Sequence, residues 1–508
     1  MKKINFKIFS LLCALIIVCN MGFIANVLAL NGGNDATEYK TLSENGTAYG
    51  NVGVISDVHI SDSSQMWRTF PLARNVDRLK RALKIFDRNN VKTILLTGDF
   101  VNFGREPDYR LLNSVLLEYY GSYDNAPEIV WNFGNHEVTN YEAEDWGTTE
   151  AVYSTSSHAY EYLSRWTKNY EMYNGLSGED KKGAPIFNVK SSGINIVSVN
   201  PVSTYSFDDS AVQEFRMLLT QVTAQANGMP VIVGMHYPIN ETLVSGMIKT
   251  KYTEKAGLWA MHEVMEEFPQ IIVFSGHMHT TPLHARAITQ SEGYTHIMAG
   301  SLSFNMLPAI DNSVDANNVA YNYDNMVEAG QILGLDGLTK NYQRDSKSHC
   351  MVVSFQKDKA LIDRYDIDTG RKYETVTPWE IPYNITAENK DEKVHYVHSK
   401  MAAGQQALTF EENAESELAA GMPNYGVMRL TFPSVKQVNE VEGYRIELTK
   451  NGEETITKYW ASTYWKGDFA VPMYNAYIYE ITDCAGWTVK IYPIDFFGKE
   501  YEPLVKTF

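Results

Sequence analysis

The chain has 508 residues, with 44 Lys and Arg against 61 Asp and Glu, a formal charge of −17, and 44% hydrophobic and 12% aromatic residues. That composition builds buried cores and excludes a wholly disordered chain, and a prior of about 150 residues per domain suggests about three domains. The acidic balance argues against duplex nucleic acid as a partner, because grip on a phosphate backbone needs a basic face, although one local cleft can still be cationic.

The N-terminus reads as an address. Lys2, Lys3 and Lys7 precede an apolar run from Ile8 to Cys19, and Val27-Leu28-Ala29 supplies a small-residue cleavage pattern. Residues 1–29 are therefore expected to be a secretory signal peptide, with a retained anchor as the alternative, and either places the remainder outside the cytoplasm. Loss of the three lysines leaves 41 basic against 61 acidic residues, a charge of −20. Cys350 and Cys484 would remain, and two buried free thiols are expected rather than a disulfide.

Between Asn51 and Asp368, five short apolar runs read as buried strands: 52–55, 91–96, 128–131, 230–233 and 270–274. Helical stripes fall between several of them, through Val76, Leu79, Leu83 and Phe86, then Val212, Phe215, Leu218 and Val222, then Leu258, Met261, Met265 and Phe268. Strand alternating with helix marks an α/β architecture. Each strand runs into polar residues: Asp57 and His59, then Asp99, then Asn135-His136-Glu137, then His236, then His277 and His279. Ligand sites of α/β sheets form beyond the carboxyl ends of the strands, and neighbouring parallel strands lie about 5 Å apart, so these groups can converge. Two carboxylates, an amide and four imidazoles suit Mn, Fe or Zn better than Ca²⁺, and seven ligands suit two metals sharing a carboxylate. Such a pair would form a cationic trap for a phosphate ester and could activate water against phosphorus.

The ordered motifs DxH (Asp57, His59), GDxxN (Gly98 to Asn102), GNHE (Gly134 to Glu137), an isolated His236 and GHxH (Gly276 to His279) resemble those of the calcineurin-like metallophosphoesterases. The resemblance implies a two-sheet core flanked by helices over residues 45–372, with strands near 351–355 and 361–365 completing the sheets. It further implies that Asp57, His59 and His279 hold one metal, that Asp99 bridges, and that Asn135, His236 and His277 hold the second. His136 would be the catalytic histidine, with Glu137 as its orienting partner, and a metal-bridging hydroxide would be the nucleophile. Asn102 and Arg105, and beside them Tyr141 and Tyr237, are candidates to touch substrate; Arg105 could grip phosphate bidentately. The remaining histidines (His158, His262, His284, His296, His349, His395 and His398) read as structural.

Beyond Asp368 the rhythm changes. Residues 373–422 read as a connector with a helix around 402–418, and residues 423–508 as a small all-β sandwich with short strands at 427–432, 444–448, 455–460, 477–482 and 488–493, two of them joined at Asn451-Gly452. The run from Trp487 to Glu500 resembles the penultimate strand and turn of fibronectin type III domains, which implies a spacer or a contact with the cell envelope. The expectation is an exported binuclear-metal hydrolase of phosphomonoesters or phosphodiesters, with GDFVN and GMHYP leaning towards the cyclic-nucleotide phosphodiesterase-like group. A surface binding protein that keeps its metals for structure and grips a glycan or envelope partner is the competing reading.

Overall fold

The structure is a computed structural model that describes residues 49–61, 72–138, 161–168, 170–171, 186–201, 207–239, 257–291, 293–305, 347–374, 376–386, 388–422, 427–462, 471–478 and 480–508. The signal segment and Tyr141 lie outside these residues. Among the described residues no helix is long and apolar enough to cross a membrane.

The α/β part contains β1 (Asn51–Ile55), α1 (Leu72–Arg88), β2 (Val91–Thr97), α2 (Glu106–Tyr120), β3 (Glu128–Asn132), β4 (Tyr170–Glu171), β5 (Ile186–Ser191) and β6 (Ile194–Val199). It continues with α3 (Asp209–Gln225), β7 (Val231–Met235), α4 (Leu258–Glu266), β8 (Ile271–Ser275), β9 (Ile288–Thr289), β10 (Thr295–Met298), β11 (His349–Phe355), β12 (Lys359–Asp366), β13 (Arg371–Lys372) and β14 (Trp379–Pro382). One sheet runs in the order β13-β12-β11-β1-β2-β3, with β14 also on β12, and the other β4-β5-β6-β7-β8-β10-β9. The pairs β1-β2, β2-β3, β6-β7 and β7-β8 are parallel.

Side-chain alternation explains the layering. On β7 and β8, Val231, Val233, Ile271 and Val273 pack under the helices with Phe215, Leu218, Met261 and Met265. The intervening Ile232, Ile272 and Phe274 join Val54, Ile94 and Leu95 of the first sheet in the central core. Both faces of each central strand are therefore apolar, which is why these strands read as unbroken hydrophobic runs. The motif-bearing strands do not all lie side by side: β1, β2 and β3 belong to one sheet and β7 and β8 to the other, so the site forms where two facing sheets end. The β5–β6 hairpin carries no long apolar run, and its signal is Ser192-Gly193, both at positive φ (49° and 86°), in the two-residue turn that suits a twisted hairpin.

The sandwich consists of β15 (Ala419–Gly421), β16 (Met428–Pro433), β17 (Val441–Thr449), β18 (Ile456–Ala461), β19 (Met473–Ile478), β20 (Thr488–Asp495) and β21 (Leu504–Thr507). Its sheets run β15-β16-β19 and β18-β17-β20-β21 around Leu430, Phe432, Tyr444, Ile446, Val489 and Ile491. The strand expected at 477–482 instead occupies 473–478, where Tyr474, Ala476 and Ile478 face inward. The connector holds no helix over 402–418. Two short helices, 398–403 and 414–417, flank a loop that leaves the first at Gly404 and sends Leu408 into the sandwich core. Cys350 and Cys484 are both free thiols, but only Cys350 is buried as expected; Cys484 is half-buried at the edge of the sandwich core.

The turn after β20 meets the α/β part. Phe496 and Phe497 pack with Leu283 and Ala285, and the Phe496 ring lies 4.4 Å from that of His284, whose Nε2 is 3.7 Å from the buried Glu442 carboxylate. Burial, opposed by Arg286, raises the Glu442 pKa to about 8 from an ordinary 4.5. The folded state thus holds a proton that the unfolded state has lost between those values, so stability falls as pH rises through this window. Thermal unfolding of Glu442→Gln at pH 5, 6.5 and 8 should show a smaller pH-dependent loss than the wild type.

Candidate active site

The motif residues sit at the strand ends in unusual backbone geometry. Asp57, His59, Asp99, His277 and His279 all have positive φ, between 48° and 68°. Non-glycine residues rarely accept this conformation, and it persists where the surroundings over-determine it. Here the loops brace one another: Asp57 N donates to Gly98 O at 3.1 Å, His59 N to Asp99 O at 2.9 Å, and Gly276 N to His236 O at 3.0 Å. The motif glycines permit this crowding. A Cβ on Gly134 would lie 2.2 Å from Asp99 Oδ1, and one on Gly276 would lie 1.9 Å from Ser56 Oγ.

Two overlapping donor groups result. Asp57, His59, Asp99 and His279 place one ligand atom each within 4.8 Å of one another, and Asp99, His236 and His277 do the same. The Nε2 atoms of His59 and His279 stand 3.2 Å apart, His279 Nε2 is 3.1 Å from Asp57 Oδ1, and His236 Nε2 is 3.2 Å from Asp99 Oδ2. Asn135 is buried and opens the helical turn 135–138 after β3, one residue before His136.

The other ring nitrogens fix the tautomers. His59 Nδ1 donates to Asn102 Oδ1 at 3.1 Å, His279 Nδ1 to Phe304 O at 2.9 Å and His236 Nδ1 to Thr97 O at 2.7 Å. These oxygens only accept, so each Nδ1 carries the hydrogen and each Nε2 is left to face the carboxylates. Electron pairs converging at 3 Å between imidazoles and carboxylates repel unless a cation lies among them. The donor set thus fits a dinuclear metal site, with Asp99 common to both halves.

The charges agree. Burial opposes a charge on Asp99, but His236, His136 and His59 hold it well below the usual carboxylate range. Burial likewise opposes the His236 imidazolium, yet the Asp99 carboxylate lifts its pKa to about 9. Burial, then the His236 charge, pushes His277 down to about 3, and burial lowers His59 as well. A proton and a metal ion therefore compete for the His236–Asp99 pair. Mn²⁺ binding followed by calorimetry in buffers of different ionisation enthalpy should release close to one proton per chain near pH 7.5, and affinity should rise with pH towards about 9.

His136 lies at the rim, with Nε2 3.8 Å from Asp99 Oδ2, its backbone N–H on Asp99 Oδ1 at 3.0 Å, and Nδ1 donating to Asn102 O at 2.6 Å. Glu137 does not orient that ring. Fully buried, it accepts the backbone N–H groups of Asp99 at 2.7 Å, Gly134 at 2.8 Å and Val101 at 2.9 Å, and burial with the neighbouring Asp99 charge raises its pKa to about 8. It clamps the GDFVN loop to the GNHE turn, and the Asn102 carbonyl has the role expected of it. Glu137→Gln, which puts an amide N–H against backbone donors, should lower the unfolding temperature and leave the pH profile of turnover unchanged.

The candidates for substrate contact fare differently. Asn102 is buried and serves His59 and His136. Arg105 gives its guanidinium to Asp108, through Nε and Nη2 at 3.1 Å each. Tyr237 is buried, with its ring 5.2 Å from His236 and 5.3 Å from His277. His296, on Ser275 Oγ at 2.8 Å, and His349, on Asn305 Nδ2 at 3.1 Å, are buried core groups, each lowered to about 3 by burial. Sequence reasoning missed Thr97 and Phe304, which act through backbone carbonyls and so carry no side-chain signature.

Residues 50–281 match the family model described as calcineurin-like phosphoesterase. No curated protein matches the chain. Among solved structures, a dimetal phosphatase from Danio rerio is similar at 13% identity and a TM-score of 0.39, over 66% of this chain and 99% of that one. A purple acid phosphatase from yellow lupin (Lupinus luteus) is similar at 10% identity and a TM-score of 0.43, over 66% of this chain and 54% of its own length. The family match and the buried Asp/His clusters define the class: the protein is a metal-dependent phosphoric ester hydrolase. The matched segment ends at Thr281, before β11 and β12 complete the first sheet.

Proposed function

We propose that the chain is an exported hydrolase of small phosphodiesters or phosphomonoesters, with cyclic nucleotides the favoured class. The observation that carries this reading is the convergence of three Nδ1-anchored imidazoles and two carboxylates in two donor groups that share Asp99, with His136 beside them. Asp57, His59 and His279 would hold one metal ion and Asn135, His236 and His277 the second, with Asp99 between them, the ions being Mn, Fe or Zn. Bound there, the ions supply an activated water and neutralise the phosphoryl oxygens. The protein's own part is to fix the donors from the two sheet ends and to keep His136 Nε2 towards the leaving oxygen, its ring held by the Asn102 carbonyl.

The basic, apolar leader supports export. The three-plus-four-stranded sandwich and the Trp487–Glu500 run support a fibronectin type III-like domain at 423–508, open to a contact with the cell envelope. The reading is tested by turnover of p-nitrophenyl phosphate, bis-p-nitrophenyl phosphate and a cyclic nucleotide. Diester turnover above monoester turnover supports it in full, monoester preference narrows it to a phosphatase, and two bound metals with no turnover of any ester favour the binding protein.

A further inference from the structure

Arg78, in the middle of α1, is 4% exposed. Burying a guanidinium costs several kcal/mol, and a buried ion pair repays that only when its remaining donors are also used. Arg78 uses them: Nε and Nη2 reach the two carboxylate oxygens of Asp368 at 2.9 and 2.7 Å, and Nη1 donates to the carbonyls of Leu302, at 3.3 Å, and Ser303. Asp368 also accepts from the Ser348 amide and hydroxyl at 3.2 and 3.3 Å. One side chain thus ties α1 and the end of β12 to the loop after β10.

That loop braces the Asp57–His59–His279 half of the site directly. Leu302 N donates to Ser56 O at 3.0 Å and Ser303 N to Asp57 O at 3.1 Å, which fixes the left-handed turn that carries Asp57. Phe304 O receives His279 Nδ1, and the Phe304 ring lies 4.2 Å from that of His279. The other half has its main anchors elsewhere: His236 is held by Thr97 O, and Asp99 and Gly134 by Glu137, while His277 meets the loop only indirectly, its N–H donating to Asp57 Oδ1 at 3.1 Å.

We infer that Arg78 is a positioning residue for the Asp57–His59–His279 half of the site, setting the affinity of that metal position far more than that of the other. The inference rests on the two-metal reading above. Groups that orient metal ligands from behind typically change metal affinity by about 10- to 100-fold. A lysine can replace the charge but cannot span a carboxylate and two carbonyls at once.

The test is Mn²⁺ titration of chelator-treated full-length protein, with free Mn²⁺ followed by electron paramagnetic resonance, for wild type, Arg78→Lys, Arg78→Met and Asp368→Asn, with circular dichroism to establish folding. Two sites are expected in the wild type. In every folded variant one should weaken by about tenfold or more, the other staying within about twofold. Equal weakening of both sites, or two unchanged sites in folded Arg78→Lys, would overturn the inference while leaving the two-metal reading intact. Failure of the wild type to bind two Mn²⁺ ions would overturn that reading and this inference with it.

Discussion

Asp99→Asn is expected to lower kcat by at least about 1,000-fold, close to 4 kcal/mol at the barrier, and to lower the bound metal from two ions towards one or none. Among the described residues Asp99 is the one side chain common to both donor groups, and His236 Nε2 lies 3.2 Å from its Oδ2. The asparagine is nearly isosteric but brings no charge. Two cations would then share a pocket that has lost its central anion, and the imidazoles around it would lose the carboxylate that offsets their mutual crowding. The same oxygen pair also accepts the His136 N–H at 3.0 Å, so the GNHE turn should loosen as well. Metal analysis alongside hydrolysis of bis-p-nitrophenyl phosphate checks both parts.

His136→Ala should behave in the opposite way towards metal. Two ions should remain, because His136 belongs to neither donor group, while kcat falls by about 100- to 10,000-fold, the range for losing a general acid. The size of the loss should depend on the leaving group. A nitrophenolate departs readily without a proton, so the loss with p-nitrophenyl esters belongs at the low end, whereas an alkoxide, such as the ribose oxygen of a cyclic nucleotide, needs protonation and belongs at the high end. Equal losses across leaving groups would assign His136 to phosphoryl binding instead of proton transfer. Asp99→Asn and His136→Ala together separate holding the metals from using them.

The buried Asp/His clusters are largely legible in the sequence because their residues follow strands that are apolar on both faces, and such strands show themselves without alternation. Asp57, Asp99, Asn135, His236 and His277 were each placed by the strand before them. The division of those strands between two sheets was not visible in the motifs, since an apolar run such as 231–235 reads the same whichever sheet it joins. The orienting role of Glu137 is what the resemblance implies, whereas its buried carboxylate accepts the backbone N–H groups of Asp99, Val101 and Gly134. Arg105 was tempting as a free cation, but Asp108 lies one helical turn on and takes it, as i, i+3 pairs do. The β5–β6 hairpin and the Phe304 and Thr97 carbonyls passed unnoticed for a common reason: positive-φ turns and backbone acceptors are properties of conformation, with little side-chain signal.

The metal content of the purified protein, measured together with its turnover of bis-p-nitrophenyl phosphate, tests the assignment as a two-metal hydrolase most directly. Two transition-metal ions per chain are predicted, with activity abolished by chelation and restored by Mn²⁺ in step with the refilling of two sites. Full activity after complete removal of metal, or two tightly bound ions with no hydrolysis of any phosphate ester, would contradict it.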